Sequence, residues 1–210
     1  MSRRFVRVPV EAIQDWPRAD LLTYVALAAT RGKAVTLAEV RKLARIRKQD
    51  LLRSLKKLMQ RGEVEQTRDP KGRYSYQVTP PERWARVLEA ALRDRELSKP
   101  DVMVYIALAS FANRTGGAWP AGKTLATRAG VSDRAVYASL DTLQNRYISS
   151  WYNKTGQRHY VLLKKPKLIG GRLVERREDD LTSVWRAAMR SEDPPAIPEK
   201  YIDETEVEYS

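Results

Sequence analysis

The chain has 210 residues, 42% of them apolar, enough for one or two domains with cores of their own. Lys and Arg outnumber Asp and Glu by 39 to 26, and the resulting charge of +13 attracts polyanions, with nucleic acid the first partner to test and an acidic membrane surface the second. With no cysteine and one histidine, disulfides, thiol catalysis and zinc-finger ligation are excluded, and any metal site would depend on carboxylates alone.

The N-terminus MSRRFVRVPV lacks the apolar run of a signal peptide, and no stretch is long enough to span a bilayer. A cytoplasmic protein associated with the nucleoid or a plasmid, with no membrane partner, is the expectation. Residues 1–16 read as an N-terminal arm.

Residues 17–79 read as a first folded unit. Pro17 stands where a helix begins, because a missing N–H costs nothing in the first turn. Leu21, Tyr24, Val25, Leu27 and Ala28 then recur at helical spacing and line one face, with Tyr24 as core. Further on, Arg45 to Leu58 keeps an apolar stripe and loads its other face with cations. Arg47, Lys48, Gln49 and Arg53 sit where base edges would be read, Arg suiting guanine and Gln suiting adenine. The bland alternative is a solvated basic face on a core helix. Asp50 either N-caps or pairs with a neighbour. A short cationic hairpin follows, and its Arg68, Lys71 and Arg73 suit phosphate or a minor groove.

Residues 80–97 read as a linker helix started by Pro80-Pro81, with Trp84, Val87, Leu88, Ala91 and Leu92 as one apolar stripe that fixes the spacing of its neighbours. Residues 98–165 then repeat the first unit. Tyr-x-Ala-Leu-Ala at Tyr24 and Tyr105 is shared at an offset of 81, and after a four-residue insertion Leu51, Leu55 and Leu58 fall opposite Val136, Leu140 and Leu143 at an offset of 85.

The second copy is the clearer one. Leu125 and Ala129 mark a helix, Gly130 ends it in the manner of a left-handed C-cap, and Ser132 N-caps the next. Val136, Leu140 and Leu143 face inward, while Ser132, Arg134, Tyr137, Ala138 and Asp141 face away. Two helices across a tight turn, the second with a polar outer face, make helix-turn-helix geometry, in which that second helix enters a major groove. Residues 151–161 follow as strand, turn and strand and complete a winged helix. Lys123, Lys154, Gln157, Arg158 and His159 are its candidate backbone contacts, and His159 is no catalytic base because no nucleophile pattern surrounds it.

Residues 99–148 resemble the helix-turn-helix domain of plasmid and phage replication initiators and related mobile-element regulators. The resemblance rests on Ala107-Leu108-Ala109-Ser110-Phe111-Ala112-Asn113, Gly117-Ala118-Trp119-Pro120 and Thr124-Leu125-Ala126. Such domains carry Ser-x-Arg-Thr-Val on the recognition helix; here Ser132-Asp133-Arg134-Ala135-Val136 lacks the Thr hydroxyl. The resemblance implies DNA binding.

Residues 166–190 form a C-terminal extension whose short amphipathic helix, with Leu181 and Trp185, either completes a core or docks a protein partner. Residues 191–210 carry seven acids against one Lys and read as an acidic flexible tail. No phosphate-cradling, dinucleotide or zincin motif occurs, so no enzyme and no cofactor is expected.

The fold class expected is mainly α with small β wings: tandem winged helix-turn-helix domains joined by a helix, plus a C-terminal extension. The expected function is recognition of double-stranded DNA by a monomer or homodimer, at a replication origin with iterons. Repression of transcription, or a non-enzymatic place in a larger nucleoprotein complex, are the alternatives.

Overall fold

A computed structural model describes residues 5–68, 74–144, 146–163, 168–169 and 172–173. The expected helix at Leu181 and Trp185, the acidic tail, and Lys71 and Arg73 lie outside the described residues.

The order helix, bridge or short strand, helix, helix, strand, strand occurs twice. In the first unit α2 (Arg18–Ala28), α3 (Leu37–Ala44) and α4 (Lys48–Gln60) precede β2 (Val64–Arg68) and β3 (Tyr74–Val78), and Ala34 bridges to Ser75. In the second, α6 (Lys99–Phe111), β5 (Gly117–Ala118), α7 (Gly122–Ala129) and α8 (Asp133–Leu143) precede β6 (Ile148–Tyr152) and β7 (Arg158–Leu162), in the strand order β5-β7-β6.

The starts and stops follow local chemistry. Pro17 occupies the N-cap of α2, and Ser98 and Asp101 close a capping box on α6 whose second residue is Pro100. Thr36 and Glu39 do the same for α3. Tyr24 and Tyr105 are fully buried, as their spacing predicts, and Tyr24 donates its hydroxyl to the Thr79 carbonyl at 2.9 Å. Burial pushes that phenol up to about 12. Asp50 is not the N-cap of α4: that place belongs to Arg47, with no side-chain hydrogen bond.

The repeat extends to buried polar groups. In α4 the buried Ser54 donates to Asp20 of α2 at 2.6 Å, and at the same offsets Ser139 and Asp101 are also buried. Arg45 and Gly130, again equivalent, both close a helix in the left-handed region, with φ of 54° and 59°.

One expectation is corrected, that of the linker helix. Within the N-terminal arm, β1 (Phe5–Pro9) runs into α1 (Val10–Asp15). The linker helix is split between a five-residue strand, β4 (Trp84–Leu88), and the short five-residue helix α5 (Glu89–Arg93). Strand β4 pairs antiparallel with β1, from Phe5 opposite Leu88 to Pro9 opposite Trp84.

The physical reason is that Val6, Val8, Ala85 and Val87 recur at a period of two, with Arg7 and Arg86 turned outward between them, and bury one face of a ribbon before Pro9 and Leu88 continue into the core. Arg7 and Arg86 lie over the Trp84 ring, at 4.8 and 5.8 Å from its centroid, and cover the other face. This ribbon packs on α2 through β1 and on α6 through β4, while α1 leans on α6 and α7. One continuous apolar core therefore runs through both units and the connector.

Three side chains lock the junction. Arg45 of the first unit donates to the carbonyls of Leu92, Asp94 and Leu97, which offsets its left-handed backbone. Tyr147 of the second unit donates to Asp94 Oδ2 at 2.7 Å, and Arg146 meets the same oxygen at 2.9 Å. Asp94 is thus gripped from both sides.

A candidate nucleic-acid interface

The helix-turn-helix of the second unit is built around Gly130. Its N–H reaches the Ala126 and Thr127 carbonyls, and the next N–H, of Val131, donates to Ala126 at 3.1 Å. These bonds satisfy the orphan carbonyls of α7 in a left-handed C-cap that glycine adopts without strain. A Cβ at Gly130 would lie 2.6 Å from Arg18 Nε of the first unit, so a side chain there would also require the exposed Arg18 guanidinium to move aside.

Ser132 then caps α8, its hydroxyl accepting from Ala135 N–H at 3.3 Å. Val136, Leu140 and Leu143 are wholly buried beneath the helix. Ser132, Arg134, Tyr137 and Ala138 lie exposed above it, as their spacing predicts. Tyr137 is 52% exposed yet positioned, because its hydroxyl abuts Gly122 at the start of α7, where a Cβ would come within 2.8 Å of Oη. Lys123 is exposed one residue further on.

The first unit presents the same face in more basic form. Arg47, Lys48, Gln49 and Arg53 are all exposed on α4, opposite buried Leu51, Leu55 and Leu58. Arg68 ends β2 with its guanidinium 5.7 Å from the Tyr74 ring.

The hairpin of the second unit divides its candidates. Asn153 Oδ1 accepts from Thr155 N–H at 3.1 Å, from Thr155 Oγ1 at 2.8 Å and from Gln157 N–H at 2.8 Å, which folds the tip tightly with Gly156 at φ 77°. Lys154 is exposed at this tip. Gln157 donates back to the Trp119 carbonyl at 3.3 Å.

Arg158 is half-buried, donating through Nε and Nη2 to Ser150 Oγ at 3.2 and 3.0 Å and lying over the Tyr152 and Tyr160 rings. Its charge is committed to the sheet. His159 is likewise internal. It stacks on Trp151 of β6 with centroids 5.6 Å apart and lies 6.0 Å from the centroid of Trp119, just past the end of β5, so that the three rings form a ladder.

Burial holds the His159 imidazole below its ordinary value of 6.5. The neutral form is therefore favoured in the fold, and the unfolded chain takes up the proton first as pH falls. His159 should contribute stability that is present above about pH 6.5 and is lost as pH drops below it. Urea unfolding of His159→Phe, which keeps a ring in the ladder, should show a flatter pH dependence from pH 7 to 5; an unchanged slope would remove the imidazole as its source.

Trp119 and Tyr152, 51% and 65% exposed, lie at this hairpin and were not among the candidate contacts that the sequence offered. Alternation along the strands places Trp151 with His159 and Tyr152 with Arg158, but only the cross-strand register shows which ring reaches solvent. Among the described residues, no helix is long and apolar enough to cross a membrane. No curated protein matches the chain. Residues 95–146, from the end of the connector through α8, match the family model of a helix-turn-helix domain, and this part of the chain accordingly supports a helix-turn-helix DNA-binding family.

Proposed function

We propose that the protein is a non-enzymatic reader of a specific double-stranded DNA site, with two winged helices in tandem, each laying its third helix in a major groove. The observation that carries the reading is the exposed polar face of α8, with Ser132, Arg134, Tyr137 and Ala138 raised on a buried apolar stripe within the helix-turn-helix match. The equivalent face of α4, with Arg47, Lys48, Gln49 and Arg53, extends it to the first unit. Recognition of a plasmid or phage replication origin is the role we favour, on the resemblance of residues 99–148. A repressor of a mobile element would use the same grip, and the position of the footprint, over an origin or over a promoter, separates the two.

About six to ten phosphate contacts from two such faces give a slope of about −5 to −9 for log affinity against log salt. Duplex titrations at several salt concentrations measure it directly. A slope near zero would defeat the DNA reading and favour protein contacts inside a larger assembly.

Side chains within the interface should separate by role. Arg134→Ala is expected to cost about 1 to 3 kcal/mol on the preferred site and little on random duplex, as a base contact does. Lys154→Ala, at the exposed hairpin tip, should weaken both and reduce the salt slope by about 1. Equal losses on both duplexes for Arg134→Ala would make it a phosphate contact instead.

A further inference from the structure

A cleft of about 770 Å³ opens where the first unit meets the connector, away from the outer faces of α4 and α8. Its wall carries six basic side chains, Arg31, Lys33, Lys42, Arg45, Arg93 and Arg95, against two carboxylates. Both carboxylates are already engaged: Glu39 closes the capping box with Thr36, and the buried Glu89 holds Arg93 at 2.7 Å and Arg31 at 3.7 Å. Arg45 is spent on connector carbonyls. Lys33, Lys42 and Arg95 remain exposed around the opening, with no acidic partner among the described residues.

Like charges gathered at one recess repel one another and focus a positive potential into it, and a bound anion relieves that repulsion. Apart from Thr30, whose hydroxyl donates to the Leu27 carbonyl, the remainder of the wall is apolar and includes Val35, Leu43, Leu92 and Leu97. A cationic rim around an apolar floor, at a volume ordinary for small-ligand sites, fits a planar ring joined to phosphates. A duplex backbone offers phosphates but no ring free to enter.

We propose that this cleft binds a free nucleotide, with its phosphates on Lys33, Lys42 and Arg95 and its base on the apolar floor. Because the wall includes both α3 and the segment after β4, the ligand would bridge the first unit and the connector. The proposal does not depend on the DNA reading, since none of the rim cations belongs to the recognition faces.

The test is fluorescence anisotropy of the full chain with a fluorescently labelled ATP, with unlabelled ATP and pyrophosphate as competitors. ATP should bind, and pyrophosphate should compete more weakly because it lacks the ring. Lys42→Ala and Arg95→Ala should each weaken ATP binding about tenfold, the ordinary cost of one charge-assisted contact. Lys48→Ala, on the recognition face, should leave ATP binding unchanged. Circular dichroism confirms that each exposed variant stays folded.

Absence of ATP binding at millimolar concentration overturns the proposal, as does binding that survives loss of Lys42 and Arg95 together. Equal competition by pyrophosphate rules out the base site. An equal effect of Lys48→Ala would make ATP a counterion of the DNA-facing surface, and a loss of duplex affinity in the rim variants without ATP binding would make the cleft a backbone contact; either result sinks it.

Discussion

Inserting five base pairs between the two half-sites of the preferred duplex is expected to weaken binding by about 10²- to 10⁴-fold, the gain that a linked second reader ordinarily contributes. Five base pairs turn one half-site about half a helical turn, to the opposite side of the duplex. A flexible linker could follow it. Here the connector is a paired ribbon whose core is continuous with both units, so the units cannot rotate independently without breaking buried contacts. Ten inserted base pairs restore the face but displace the half-site by about 34 Å, and a rigid ribbon should then recover little. Affinity that is constant across spacings, with a footprint over one half-site, would leave a single unit as the DNA reader.

Asp94→Ala is expected to lower the stability of the whole chain by about 3 kcal/mol, measured by urea unfolding. The substitution strands the Arg146 guanidinium, whose side chain is 9% exposed, and leaves the Tyr147 hydroxyl with a 3.4 Å contact to the Ala90 carbonyl as its remaining bond. Glu96 still meets Arg146 at 2.7 Å but is itself 73% exposed, which keeps the loss at the lower end of that for a broken buried pair. Asp94→Asn, which retains an acceptor for Tyr147, should lose less. Because the Asp94 carboxylate is where Tyr147 and Arg146 of the second unit grip the connector, the alanine variant should also flatten the dependence on half-site spacing. A stability change within about 0.5 kcal/mol, the range of ordinary surface substitutions, would mean that the pin is dispensable.

Much of the candidate site was legible before any coordinates. Ser132 and Gly130 announce a turn because a hydroxyl can cap an exposed N–H and only glycine enters the left-handed region freely; both are properties of single residues and their neighbours. The faces of α4 and α8 were legible because a helix turns its own residues inward and outward at fixed spacing, which sorted Arg53 from Leu55 and Arg134 from Val136. Arg158 and His159 were harder. Whether a strand cation faces solvent or a hydroxyl such as Ser150 depends on the register of the partner strand.

By itself, then, the sequence determined the starts of α2, α6 and α8, the end of α7, the buried tyrosines and the outward side chains, since each follows from contacts within a few residues. The tertiary structure alone decided the connector. Trp84, Val87, Leu88, Ala91 and Leu92 satisfy a helical stripe, whereas only Ala85 and Val87 carry the alternation of a strand, and the choice between them is made by hydrogen bonds to β1, brought across from the opposite end of the first unit. Val6 and Val8 supply an apolar face that only an extended partner can complete, and so the segment expected to be a helical spacer became the second strand of a ribbon that binds the two units together.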